Sequence, residues 1–477
     1  MLNKYFAPRY ILLLLFIVLC FSNCSWLTGQ KPLNLYSGWD RAEAILDRIQ
    51  EPLFPDRDYF ITHYGATGEG QADCREAFAT AINTCNSEGG GRVVVPAGTY
   101  LCNGPIHLKS NVHLYLEEGA TIKFGADPEF YLPVVLTKWE GTELFNYSPL
   151  IYAYQATNIA MTGKGIIDGS ATTGFATWKP QQKEAQNRLR QMGNDGVPVN
   201  ERIFGEGHYL RPSMVQPFGC KNVLIDGVTI LDSPFWVIHP VFCINVIVRN
   251  VTVNSWNPNN DGCDPDASVN VLIENCLFNT GDDGIAIKSG RDQDGWRIGQ
   301  ATENVVIRNC EMRSKANGLC IGSEMSGSVR HVYMENCLVD SANSTVYFKA
   351  NLDRGGRIEN VWVRDVKVNR AKGAFIRFET NYKGHRGNFY PPLFQNFVLE
   401  KITCQTADNY AIFAEGHERA RLKNILLKNI TVNKAKVDRY IRYAENFRLR
   451  NVRINGVIQP ELPPMDPEEK KKSNMGW

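Results

Sequence analysis

NVIVRNVTVN at 245–254, NVLIENCLFN at 270–279, NVVIRNCEMR at 304–313, NVWVRDVKVN at 360–369 and NILLKNITVN at 424–433 are copies of one unit. Each begins with asparagine, alternates apolar residues, turns at a second Asn or Asp, and alternates again. Period-two apolarity rich in β-branched residues marks a short strand rather than a helix. Unit starts fall at Asn158, Asn222, Asn245, Asn270, Asn304, His331, Asn360, Asn396, Asn424 and Asn446. From Asn222 onward they lie 23, 25, 34, 27, 29, 36, 28 and 22 residues apart. That period belongs to a solenoid whose coils stack on their neighbours. The second polar position is refilled by Asn250, Asn275, Asn309, Asn336, Asp365, Asn429 and Asn451. A sandwich of unrelated strands does not predict such a fixed polar corner; stacked coils with a ladder of side-chain hydrogen bonds do. The chain reads as all-β, a right-handed, single-stranded parallel β-helix.

Outward from the repeats, residues 58–125 look like the start of the same solenoid. Asp73 and Glu76 form a capping-box pattern ahead of Cys74, Phe78, Ala81, Ile82 and Cys85, which share one helical face. A helix there covers the open end of the coil stack and protects its strand edges. Between Asp168 and Asn222 the repeat is broken by an insertion, helical over Lys179–Met192 and otherwise a loop able to wall a cleft. Residues 25–57 read as a leader, 58–460 as the β-helix, and 461–477 as a charged tail. At the start, Lys4 and Arg9 precede an apolar run from Tyr10 to Phe21, the pattern of a signal peptide over 1–24. Cys24 stands where a lipoprotein cysteine would. The expectation is export across the inner membrane, to the periplasm or to the cell surface on a lipid anchor through Cys24.

Basic and acidic residues number 52 and 50, a formal charge of +2, so no nucleic-acid partner is expected. The balance leaves room for an anionic sugar, since one pocket needs only local cations. Of 13 cysteines, Cys276, Cys310 and Cys337 recur at one position of the repeat, as stacked core residues do. There is no CxxC pair, and neither a metal site nor a cofactor is expected. Nothing in the pattern demands a second chain, so a monomer is expected.

Two motifs interrupt the repeat with residues that a structural coil does not need: Asn259-Asn260-Asp261-Gly262-Cys263-Asp264 and Gly281-Asp282-Asp283-Gly284. Equivalent positions on successive coils stack roughly 4.8 Å apart. Asp261, Asp282 and Asp283 should therefore converge, together with Asn317 and Lys349 from later coils. Carboxylates so close repel, and one keeps its proton near neutral pH. A protonated acid beside ionised bases suits glycosidic cleavage, in which one group protonates the leaving oxygen and another activates water. Turn capping and a calcium site are the other uses for such acids.

The chain resembles glycoside hydrolase family 28, the polygalacturonases, over about Tyr59 to Ile458. The resemblance rests on GATGEGQADCREAFATAI at 65–82, GGGRVVVPAGTY at 89–100, NNDGCDPD at 259–266 and TGDDGIAIKSGR at 280–291. WEGTE at 139–143, RIFGEGHYLRP at 202–212, SPFWVIHP at 233–240 and IGSEMSG at 321–327 are similar to the bacterial exo-acting branch. It implies the pectin-lyase-like solenoid and hydrolysis of pectic polysaccharide or oligosaccharide from chain ends. By resemblance Asp282 is the general acid, while Asp261 and Asp283 activate water for a single, inverting displacement. Inversion implies carboxyl groups roughly 6.5–9.5 Å apart. Two departures stand out. The family's Gly-His-Gly falls on Ala316, Asn317 and Gly318, and its Arg-Ile-Lys on Tyr347, Phe348 and Lys349. Tyr347 can stack on a sugar but cannot pair with a carboxylate. Its presence predicts that unbranched polygalacturonate is a poorer substrate than a branched or mixed pectic fragment. Arg291 and Arg354 are candidate replacement cations, Lys288 a candidate carboxylate contact, and Trp236 and His239 candidates for a sugar platform. A pectate-lyase-like eliminase and a decayed carbohydrate-binding solenoid stay open as alternatives.

Overall fold

The computed structural model describes residue 33 and residues 37–461, apart from 384, 385 and 388. The signal peptide, Cys24 and all but the first residue of the charged tail lie outside the described residues. The chain divides into two compact units, Met1–Arg48 and Ile49–Trp477. Helix α1 (Gly38–Leu46) belongs to the first, within the expected leader. No helix among the described residues is long and apolar enough to cross a membrane.

The second unit is the parallel solenoid. Ile244–Arg249 pairs in parallel with Lys221–Asp226 on one side and Val269–Glu274 on the other, Val246 lying opposite Val223 and Val271. Thr302–Arg308 and Val329–Glu335 continue that wall. The wall that carries the site is formed by Ile285–Ile287, Asn317–Ile321, Ser344–Lys349 and Ala374–Glu379. Its register sends Ile285, Leu319, Val346 and Ile376 inward, and Ala286, Cys320, Tyr347 and Arg377 outward.

The fixed asparagines have two physical reasons, of which the sequence suggested one. Side chains of Asn222, Asn245, Asn270 and Asn304 each donate to the asparagine one coil earlier, at 2.8–3.2 Å. In addition, both corners hold a left-handed backbone, with φ of 57° at Asn245, 54° at Asn250, 58° at Asn270 and 55° at Asn275. Among residues with a side chain, asparagine tolerates that region best. Cys276, Cys310 and Cys337 are free and buried, with the thiol of Cys310 between the other two, as stacked core residues.

Helix α2 (Arg75–Ser87) turns Ala77, Phe78, Ala81, Ile82 and Cys85 into the core. Its cap differs from the capping-box reading. Cys74 is the N-cap residue, and the Asp73 carboxylate accepts from the backbone N–H of Arg75 and of Asn103, each at 3.0 Å. The insertion contains helix α3 (Lys183–Asn194), later by a few residues than expected because 179–182, which include Pro180, form a turn after the 3-10 segments Ala171–Thr173 and Phe175–Trp178. A hairpin of Val135–Trp139 and Thr142–Asn146 lies beside it. Buried polar contacts fasten both to the solenoid. Lys138 Nζ meets Asp266 at 2.7 Å with both side chains fully buried. Arg202 meets Asp294 in the short helix α4 (Asp292–Ile298) at 2.8 Å. Arg211 donates to the carbonyl oxygens of Pro234 and Pro258 and to Asn259 Oδ1.

Candidate active site

Asp261 leaves a turn whose shape is set by its neighbour. The buried Asn260 amide donates to the carbonyls of Ser233 and Phe235, and its Oδ1 accepts from Ser255 and from the N–H of Asn257. One coil on, Asp282 and Asp283 follow the strand Leu277–Thr280. The glycines of these motifs answer to coil spacing. A Cβ on Gly262 would lie 2.4 Å from the Phe278 ring and 2.5 Å from the Gly284 oxygen, and one on Gly281 2.3 Å from Asn257 O. No side chain fits there, so the two acidic turns nest directly.

The result is one cluster. An oxygen from each of Asp261, Asp282 and Asp283 lies within 4.8 Å of the others, at the floor of an open cleft of about 1110 Å³. That nearest-oxygen spacing is tighter than the separation inferred for inversion, because nested turns bring neighbouring coils to strand distance. The buried Lys288 and the partly buried Lys349 compensate the charge. Lys288 Nζ is 3.7 Å from Asp261 and from Glu324, and Lys349 Nζ is 3.7 Å from Asp283. Asn317 donates to Asp283 Oδ1 twice, from its backbone at 3.0 Å and its side chain at 2.6 Å. The Asn259 amide approaches Asp282 at 3.5 Å, itself held by Lys179 and Arg211 from the insertion.

These surroundings divide the acids by protonation. Burial, then the Asp283 charge, raises the Asp282 pKa to about 6. Burial also opposes ionisation of Asp283, but Lys349, Lys288 and the Asn317 hydrogen bond outweigh it and lower its pKa. A raised acid next to a lowered one is the pairing that acid–base cleavage uses. With Asp282 as proton donor and Asp283 as base, kcat/KM should decline as pH rises through about 6. It should hold on the acid side until Asp283 takes up its proton, below the usual carboxylate range. A pH–rate profile on a soluble oligosaccharide checks both limbs; a rate that climbs through neutral pH contradicts the assignment.

The family model for glycosyl hydrolases family 28 matches residues 85–449. The chain belongs to that family. Its fold and sequence are similar to a hyperthermoactive exopolygalacturonase from Thermotoga maritima, with a TM-score of 0.85 and 42% identity over 88% of this chain and 97% of that one. It is 29% identical to a probable polygalacturonase of Vitis vinifera, covering 84% of this chain and 80% of the relative. It is 27% identical to an exo-poly-alpha-D-galacturonosidase of Dickeya chrysanthemi, over 75% and 64%. The enzyme is a glycoside hydrolase.

In this family 28 hydrolase the cleft is lined by Asp261, Asp282, Asp283, Trp236, Lys288, Lys349, Arg291 and Arg354 from the sequence-based set. Trp236 lies under Lys288, its ring centre 4.9 Å from Nζ. Asn317 reaches the site through Asp283. Two assignments are corrected. His239 is fully buried, bonded through Nδ1 to Ser213 and Gln216 beneath the hairpin, with Asp266 beyond its Nε2 at 3.6 Å. It cannot meet a sugar. Tyr347 is 4% exposed, its hydroxyl donates to Glu379, and the Arg377 guanidinium lies over its ring at 4.5 Å. That ring face is closed to stacking. The sequence reading missed Glu140, Gln186 and Arg190, which line the cleft from the hairpin and α3, and Glu324, which pairs with Arg291 at 2.9 Å. Glu140 and Glu324 sit in quoted motifs, WEGTE and IGSEMSG, but no periodicity shows which way they face.

Proposed function

We propose that this hydrolase removes uronate units from the ends of pectic chains by a single, inverting displacement. The observation that carries the exo reading is the wall. Glu140, Gln186 and Arg190 share the cleft with the three aspartates, where a polymer passing through would need open floor. Gln186 donates to both Glu140 oxygens and Arg190 pairs with the same carboxylate, so the wall is internally bonded. The Thermotoga maritima and Dickeya chrysanthemi relatives, both named as exo-acting on galacturonan, support the same reading. The test is the product series. Digestion of oligogalacturonides should release one short product from the first minutes, and an early ladder of intermediate lengths would refute the exo reading.

For the uronate, Arg291 supports recognition in place of the guanidinium lost at Tyr347. It lines the cleft with its Nη1 paired to Glu324 at 2.9 Å, while its Nε lies 3.8 Å from Asp292 and makes no hydrogen bond among the described residues. On this reading simple oligogalacturonides are accepted, against the expectation drawn from Tyr347 alone. Arg291→Met should raise KM for uronate substrates about 10- to 100-fold, the worth of roughly 1.5–3 kcal/mol of charged hydrogen bonding, with a smaller change in kcat. Equal KM values for the variant and the parent enzyme would remove Arg291 from recognition.

Stereochemistry is the third test. Proton magnetic resonance of fresh product should show the inverted anomer, with Asp261 and Asp283 serving water rather than the anomeric carbon. A retained anomer would turn one of them into a nucleophile, as the close spacing otherwise suits. The lyase alternative gains little here, since Lys288 and Lys349 supply the positive charge beside the carboxylates. Export on the signal over 1–24, with lipidation at Cys24, is part of this proposal, and cell fractionation with lipid labelling tests it.

A further inference from the structure

Asp264 is buried without exposure, three residues after Asp261. Register places it on the outward column of the catalytic wall. Its neighbour Cys263 bridges Ile238 on one coil and Ile285 on the next, which sets Asp264 between His239 and Ala286. The methyl of Ala286 leaves room for the carboxyl to turn toward the acidic cluster. Neither Asp264 oxygen receives a hydrogen bond from a nitrogen or hydroxyl donor among the described residues, and its carboxyl meets that of Asp261. Lys288, Asp282 and Asp283 are the other charged groups that face it. A bare carboxylate in that position would be a desolvated charge against a like charge, which proteins avoid by taking up a proton.

We propose that Asp264 is a fourth carboxyl of the active site, a positioning residue that stays protonated and donates its hydrogen to Asp261. Lys288, 3.7 Å from Asp261, decides which partner of the pair is ionised. Burial raises both carboxyls above the usual range, so the pair keeps a proton between them, and the Lys288 cation beside Asp261 is what assigns it to Asp264. Asp261 then receives a neutral donor on one side and a cation on the other, which fixes its lone pairs toward the water it activates. The proposal rests on Asp261 serving as a base; the shared proton can be detected without that assumption.

Infrared difference spectra should be recorded well above pH 6, where Asp282, with a pKa of about 6, is ionised. The parent enzyme and Asp282→Asn should both keep the carbonyl band of a protonated carboxyl, and Asp264→Asn should lose it. Absence of the band in the parent, or its survival in Asp264→Asn, overturns the proposal. If Asp264→Asn does not fold, Asp261→Asn serves, because it removes the ionised acceptor of that proton and must shift or abolish the band; an unchanged band then overturns the proposal. Kinetics give the positioning readout. Asp264→Asn retains a donor and should hold kcat within about tenfold, whereas Asp264→Leu should fall at least a further tenfold in kcat at unchanged KM. Equal kcat in the two variants would show that no donated hydrogen bond matters. Full activity of Asp261→Asn would remove Asp261 as base while leaving the spectral result to stand or fall alone.

Discussion

Asp282→Asn is expected to lose about 10²- to 10⁴-fold in kcat while its unfolding transition stays near that of the parent enzyme. The amide matches the carboxyl in shape and can still accept from Asn259, so the coil has no reason to rearrange. What it lacks is an acidic proton for the leaving oxygen. Burial and the neighbouring Asp283 keep that proton on Asp282 up to a pH of about 6, and neither can do so for an amide. Substrates with acidic leaving groups need less protonation and should be spared much of the loss. Measurement of kcat on a natural oligosaccharide and on an aryl glycoside separates the two cases. Equal losses on both would mean that Asp282 orients the sugar instead of protonating it.

Lys288→Met should be the most damaging single change outside the aspartates. The side chain is 5% exposed, lies 3.7 Å from Asp261 and from Glu324, and donates to the Gly322 carbonyl. Burial disfavours its charge, yet Asp261 and Glu324 more than restore it, so Lys288 stays a cation. Removing one partner from a buried charge cluster costs about 3–5 kcal/mol, because the remaining carboxylates are left desolvated and uncompensated. The deficit should shrink as pH falls. Without the lysine the folded-state pKa of Asp261 rises further, so protons relieve the variant before they affect the unfolded chain. Denaturant unfolding of both proteins at neutral and mildly acidic pH measures this, and a deficit that widens on acidification would contradict the charge argument.

The repeat, its polar corners and the meeting of Asp261, Asp282 and Asp283 were legible because a solenoid converts spacing along the chain into position in space. Alternation along a strand also states which residues point outward. It does not state what lies over them. His239, Asp264 and Tyr347 occupy one outward column, and all three are buried, His239 by the hairpin and Tyr347 by Arg377. The covering parts come from outside the repeat, so no count of periods could place them. The same holds for Glu140, Gln186 and Arg190, whose direction depends on how the hairpin and α3 are fastened. The close meeting of the carboxyls follows the coil spacing rather than the wider separation that the resemblance implied, and glycines that admit no Cβ between the nested turns permit it.

The fastening of the wall has a consequence for traffic. Lys138–Asp266, Arg202–Asp294 and the Arg211 contacts are buried, so swinging the wall aside would break buried ion pairs and hydrogen bonds at three points. On the exo reading, the freed sugar lies behind the shortened polymer, in a blind alley with one entrance. The polymer must back out before the sugar can leave. Such an enzyme lets go after every cut, attacks many chains in turn instead of following one, and is slowed by its own small product occupying the dead end.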